Sequence, residues 1–217
     1  MMQLVGSGTL TKGFMKFHAT AVTSVYTEKA FENACQWEGV SCDENSIIRC
    51  LEWENKEWDR PESAKFRLSY MFLRFLPPTL VKVAIKHQPW LESGFQKDDV
   101  NTRCFPRRAV DVALVACKLT GTIDMTCLPV NLMVLILRQN RLYGTILLKH
   151  LPPTLETVDL QGNPIDRVIV SNDSLPMGLK QINFLSHGKI VIEESDHRPV
   201  DDRVVVCRQK GEKVRRG

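Results

Sequence analysis

Several things are missing from this 217-residue chain, and each absence removes a class of function. No stretch reaches the roughly 18 to 20 consecutive apolar residues of a membrane-spanning helix. No Cys-x-x-Cys occurs, so a zinc site has little support. No HExxH, GxSxG or kinase-like set is present, and the five histidines (18, 87, 150, 187 and 197) form no catalytic spacing. The acidic pairs Asp98–Asp99 and Asp201–Asp202 lack calcium-loop spacing. In GSGTLTKG (6–13) the lysine precedes the last glycine and no apolar strand comes before it, which rejects a phosphate loop. The formal charge of +4 is too mild to imply nucleic acid or membrane binding by itself. The chain reads as non-catalytic, with no cofactor.

What is present is a rhythm. LPPTL (76–80), LPVNL (128–132), LPPTL (151–155) and LPMGL (175–179) recur with a degenerate copy, FPRRA (105–109). Their last residues, Leu80, Ala109, Leu132, Leu155 and Leu179, step by 29, 23, 23 and 24 residues. Such a period marks a repeat solenoid, whose function resides on a surface. Numbering each unit from that last residue, position four is Val83, Val112, Leu135, Val158 and Ile182, and position six is Ile85, Leu114, Leu137, Leu160 and Phe184. Their alternation with other residue types turns one strand face inward. Position nine is Gln88, Cys117, Asn140, Asn163 and His187. An asparagine amide there can bond backbone groups of the turn that would otherwise go unpaired.

This LxxLxLxx(N/C)xL phrase resembles the leucine-rich repeat. LTGTI (119–123) and LYGTI (142–146) resemble its plant-type subclass, as found also in protist surface proteins. The likeness covers roughly residues 76–195. CQWEGVSC (35–42) resembles the N-terminal cap of such proteins. The resemblance implies that Cys35 and Cys42 pair and that Trp37 covers the first coil. It implies an α/β-type solenoid: a short arc with a parallel sheet on its concave face, a mostly irregular or 3-10 convex side, and an N-terminal cap with a helix ending near Cys35.

The expected organisation follows. Residues 1–27 read as a loosely ordered leader, with a poor apolar core for a signal peptide. Residues 28–75 read as the cap and an irregular first coil, 76–195 as about five repeats, and 196–217 as a closing segment with a basic tail. SGFQKDDVNTRC (93–104) reads as an insertion loop. Seven cysteines leave at least one thiol outside any intrachain pairing. A paired Cys35 and Cys42 would argue for a secreted or cell-surface setting, and the poor leader argues for an intracellular one.

Positions three, five and seven of each strand should face outward on the concave sheet. The expected partner-binding residues are Lys82, Lys86, Ala113, Val115, Val134, Ile136, Arg138, Asp159 and Gln161, an apolar centre inside a polar rim. The expected function is a protein-binding scaffold or recognition module. The alternative is a structural subunit of a larger assembly such as a ribonucleoprotein, held through the basic tail RQKGEKVRRG (208–217).

Overall fold

A computed structural model describes residues 34–54, 71–73, 76–87, 91–92, 100–185, 190–195 and 198–207. The expected leader, the segment 55–70, most of the insertion loop, His187 and the basic tail lie outside the described residues.

The main sheet is built from one short strand per coil. In spatial order it runs β1 (Val40–Cys42), β2 (Ile48–Glu54), β4 (Lys82–Lys86), β6 (Asp111–Val115), β8 (Val134–Ile136), β11 (Thr157–Asp159), β13 (Gln181–Phe184) and β15 (Val204–Val206). β1 and β2 are antiparallel, and every later pairing is parallel. Position four pairs with its equivalent one coil away throughout, Val83↔Val112↔Leu135↔Val158↔Ile182, and at position six Ile85 pairs with Leu114. Each of the ten side chains at these two positions is at most 1% exposed, so these two columns are the spine of the core.

The Leu-Pro phrase closes each coil. In all five copies the proline carbonyl accepts a hydrogen bond from the amide three residues on: Pro77–Leu80, Pro106–Ala109, Pro129–Leu132, Pro152–Leu155 and Pro176–Leu179. Proline lacks an N–H, and its fixed φ presets the chain for this turn. In the two LPPTL copies the threonine hydroxyl donates to the preceding coil, Thr79 to Ile48 O and Thr154 to Leu132 O.

The return legs correct the expected fold class. Among the described residues there is no α-helix, and the side opposite the main sheet is strand-rich instead of mostly irregular. β10 (Gly144–Leu148), β12 (Ile165–Val170) and β14 (Val191–Glu194) form a second parallel sheet. The short pairs β7 (Thr120–Gly121) with β9 (Arg141–Leu142), and β3 (Met71–Phe72) with β5 (Leu91–Glu92), continue the pattern. The reason lies in side chains such as Ile146, Ile165, Val168, Val170 and Ile192. β-branched residues alternating with polar ones favour extended backbone with one face buried. Short 3-10 turns, Thr102–Cys104, Met125–Cys127 and Asn172–Ser174, carry three of the coils back toward their Pro turns. The described molecule is an all-β parallel solenoid.

The cap differs from expectation in the same direction. Its described start, Ala34–Gln36, is a single 3-10 turn leading into the antiparallel β1–β2 pair. A disulfide joins Cys35 to Cys42, and Trp37 is buried against the first coil at 7% exposure. Closing so short a loop contributes about 2.5 kcal/mol by loop-closure entropy.

At the other end, β15 is held by Arg203, whose guanidinium donates to both Asp201 carboxylate oxygens at 2.8 Å and to Pro176 O at 3.1 Å. The Arg203 hydrogen bonds to the Asp201 carboxylate hold its pKa down at about 2. A depressed folded-state pKa gives stability that is complete above the ordinary carboxylate pKa of about 4 and lost as pH falls through the folded value. Asp201→Asn should therefore cost at most about 2 kcal/mol at pH 7. Urea unfolding at stepped pH should show the gap from the parent closing between about pH 4 and pH 2. A gap that stays constant over that interval would contradict the pairing.

Asn172 lies in an Asn-x-Ser triplet, but its amide is already engaged. Nδ2 donates to Pro199 O and Oδ1 accepts from Asp201 N. The side chain ties the closing segment to the last 3-10 turn, which accounts for it without a glycan.

Candidate functional site on the main sheet

Alternation within each strand fixes what the outer face of the main sheet shows. Column three reads Cys50, Lys82, Asp111, Val134, Thr157 and Gln181 across the paired strands. Column five reads Glu52, Ala84, Ala113, Ile136, Asp159, Asn183 and Val205. Neighbouring strands lie about 4.8 Å apart, so members of a column touch.

The expected residues fall into three groups. Ala113, Val134 and Ile136 adjoin in register and are partly exposed, forming the apolar centre. Val115 pairs with Lys86 but is only 8% exposed, so it adds little displayed surface. Arg138, Asp159 and Gln161 flank the far side, with Arg138 and Asp159 forming an ion pair at 3.9 Å. Lys82 and Lys86 flank the near side, and each is matched by an acid that sequence reasoning did not place there. Lys82 Nζ lies 2.5 Å from Glu52 Oε1, and Lys86 Nζ lies 3.8 Å from Glu54 Oε2. The Glu52 hydrogen bond raises the Lys82 pKa and keeps it charged. Solvent screens pairs this exposed, so their contribution is to orientation more than to stability. The signal for Glu52 and Glu54 was their alternation with the inward-facing Leu51 and Trp53. It is hard to use because no Leu-Pro phrase sets the register of β2.

The turns after β4, β6, β8 and β11 are left-handed at position eight. His87, Ala116, Gln139 and Gly162 have φ of 55°, 53°, 58° and 72°. A left-handed non-glycine residue costs roughly 1 to 2 kcal/mol, so the turn must be held by something stronger. At the three of these turns whose position nine is described, Cys117, Asn140 and Asn163 hold it. Asn140 Oδ1 accepts from Cys117 N at 2.9 Å and Leu119 N at 3.2 Å, while Nδ2 donates to Leu114 O and Leu137 O at 2.7 and 2.8 Å. Asn163 accepts from Leu142 N and donates to Leu137 O and Leu160 O. The Cys117 thiol lies within reach of Ile85 O and Val115 O, at 3.5 and 3.3 Å, and its one S–H can bond either.

Beside this turn, where the strands leave the main sheet, lies an open depression. It is lined by Lys118, Arg138, Arg141, Gln139, Gln161 and Leu185, among others. The second sheet offers a contrasting face: Leu147 and Val191 are 48 and 43% exposed there, crossed by the Arg167–Glu193 ion pair.

Among the described residues no group of three or more His, Cys, Asp or Glu side chains could hold a metal ion. Nor is any helix among them long and apolar enough to cross a membrane. No family model matches the sequence, and no curated protein matches it. Among solved structures the chain is similar to the crystal structure of a plant ice-binding protein, with a TM-score of 0.55 at 15% identity. The match covers 87% of this chain and spans 57% of the length of that one. At that identity the similarity shows a shared fold alone, and it overturns the expected α/β arc with a helical cap.

Proposed function

We propose that the chain is a non-catalytic recognition module that holds a protein partner against the outer face of its main sheet. The observation that carries this reading is the partly exposed Ala113–Val134–Ile136 patch, bordered by the Lys82–Glu52 and Lys86–Glu54 pairs on one side and Arg138–Asp159 on the other. An apolar centre with a charged rim is the usual composition of a protein interface. The likeness of the repeat phrases to those of leucine-rich repeat proteins, which bind partners on their strand face, supports the same reading. The second sheet suits the role less well, because Arg167 and Glu193 interrupt its apolar residues at its centre.

Val134→Asp places a charge in the middle of the patch without touching the core columns. Immobilised full-length chain should recover a specific partner from native extract, and the variant should lose at least tenfold of that recovery while its circular dichroism is unchanged. Equal recovery by a folded variant would sink the proposal.

A further inference from the structure

The depression at the strand exits has a composition that the apolar patch does not explain. Three of its lining residues are cations, Lys118, Arg138 and Arg141, and no carboxylate lines it among the described residues. Lys118 and Arg141 occupy the same position, ten, of consecutive coils. An anion in the depression would be attracted by all three cations. Arg141 is exposed and forms no ion pair among the described residues, and Arg138 reaches Asp159 only at 3.9 Å. Arg138 therefore has donors to spare, since a guanidinium carries five N–H groups and one distant carboxylate uses few of them. Gln139 and Gln161 add neutral amides, and Leu185 gives the site one apolar wall.

We propose that this depression is an oxyanion subsite that takes an acidic side chain of the protein partner. The assignment rests on the partner lying along the main sheet. Arg138 and Ile136 are two residues apart on one coil, so they face the same way about 7 Å apart. An acidic residue next to the partner's apolar anchor reaches the guanidinium groups while the anchor covers Ile136. Arginine suits this role because its planar fork matches a carboxylate in bidentate geometry. The third cation strengthens the attraction without demanding a fixed geometry.

The first probe is inorganic sulfate, titrated into the full chain against chloride at constant ionic strength and followed by the amide NMR shifts of Gln139, Arg141 and Gly162. Saturable shifts confined to these residues are expected. Arg141→Gln and Lys118→Gln should each weaken binding about tenfold. Lys180→Gln removes the same charge from an exposed residue paired with Glu156 and should leave it unchanged. Shifts that do not saturate, or that weaken equally in Lys180→Gln, overturn the subsite. The second probe is a short Leu-Glu peptide compared with its Leu-Gln counterpart. At least tenfold tighter binding of the acidic peptide is expected. No difference between the two, with sulfate still bound, would make the site one for free inorganic anions and overturn the partner assignment. Sulfate binding does not involve Val134, so failure of the subsite and failure of the patch read out separately.

Discussion

Asn140→Ala is expected to remove about 4 kcal/mol of stability, as much as truncating a fully buried leucine or phenylalanine of the repeats. The amide is 6% exposed and bonds two backbone amides, of Cys117 and Leu119, and two backbone carbonyls, of Leu114 and Leu137. Each buried group left unpaired costs roughly 1 to 3 kcal/mol, partly recovered if water enters. Against a typical domain stability of about 5 to 15 kcal/mol, the loss brings the chain close to unfolding at ambient temperature. Urea unfolding followed by circular dichroism measures it. Asn140→Asp should be no milder, because it keeps the acceptor, loses the donor and buries a charge. Asn140→Cys should cost less than Asn140→Ala, since the Cys117 thiol lies within reach of two carbonyls at this position and its one S–H can bond either. A loss below about 1 kcal/mol for Asn140→Ala would mean that the amide is not what holds the left-handed turn.

Gly39→Ala is the second large effect, and it acts on the cap. Gly39 has φ +76°, and a Cβ there would lie 2.0 Å from Glu52 O and 2.8 Å from Trp53 Cδ1. Neither neighbour can yield easily. Glu52 N donates to Gly39 O at 2.7 Å, and Trp53 Nε1 donates to Glu38 O at 3.0 Å. Relief requires β1 to move off β2, which uncovers the first coil. The expected cost is about 3 kcal/mol or more, from the strained φ and the lost packing together. Tryptophan emission should shift to the red at denaturant concentrations where the parent is still native. Emission and midpoint equal to the parent's would show that the cap accepts a side chain at this turn.

How legible this was in the sequence depends on the column. Positions four and six could be read because Leu, Ile and Val recur there in register with a fixed proline. The asparagine column could be read because a buried amide has few other roles. The second sheet was missed. In Ile165-Asp-Arg-Val-Ile-Val170 the alternation is present, but only Ile165, Val168 and Val170 are fully inward, and the intervening residues blur the period. The left-handed position was also hidden. Of His87, Ala116, Gln139 and Gly162, only glycine announces positive φ, and at Ala116 and Gln139 the turn is held by the bonds of the next residue, Cys117 and Asn140. Glu52 and Glu54 were missed for want of a preceding Leu-Pro turn, although they supply the partners of Lys82 and Lys86. Of the candidate site, the apolar centre could be foreseen from the repeat register. Of the cationic depression, Arg138 and Gln161 were legible at position seven, but Lys118 and Arg141 were not, because position ten lies past the end of the strand, where alternation no longer says which way a side chain faces.

The central claim is that the main sheet, and not the second sheet, meets the partner. Site-specific photocrosslinking tests it most directly. A photoreactive phenylalanine analogue replaces Ile136 on the main sheet in one sample and Leu147, 48% exposed on the second sheet, in another. Both are then irradiated with the captured partner. The account predicts a crosslinked partner from position 136 and none from position 147. A crosslink from 147 with none from 136 would contradict it.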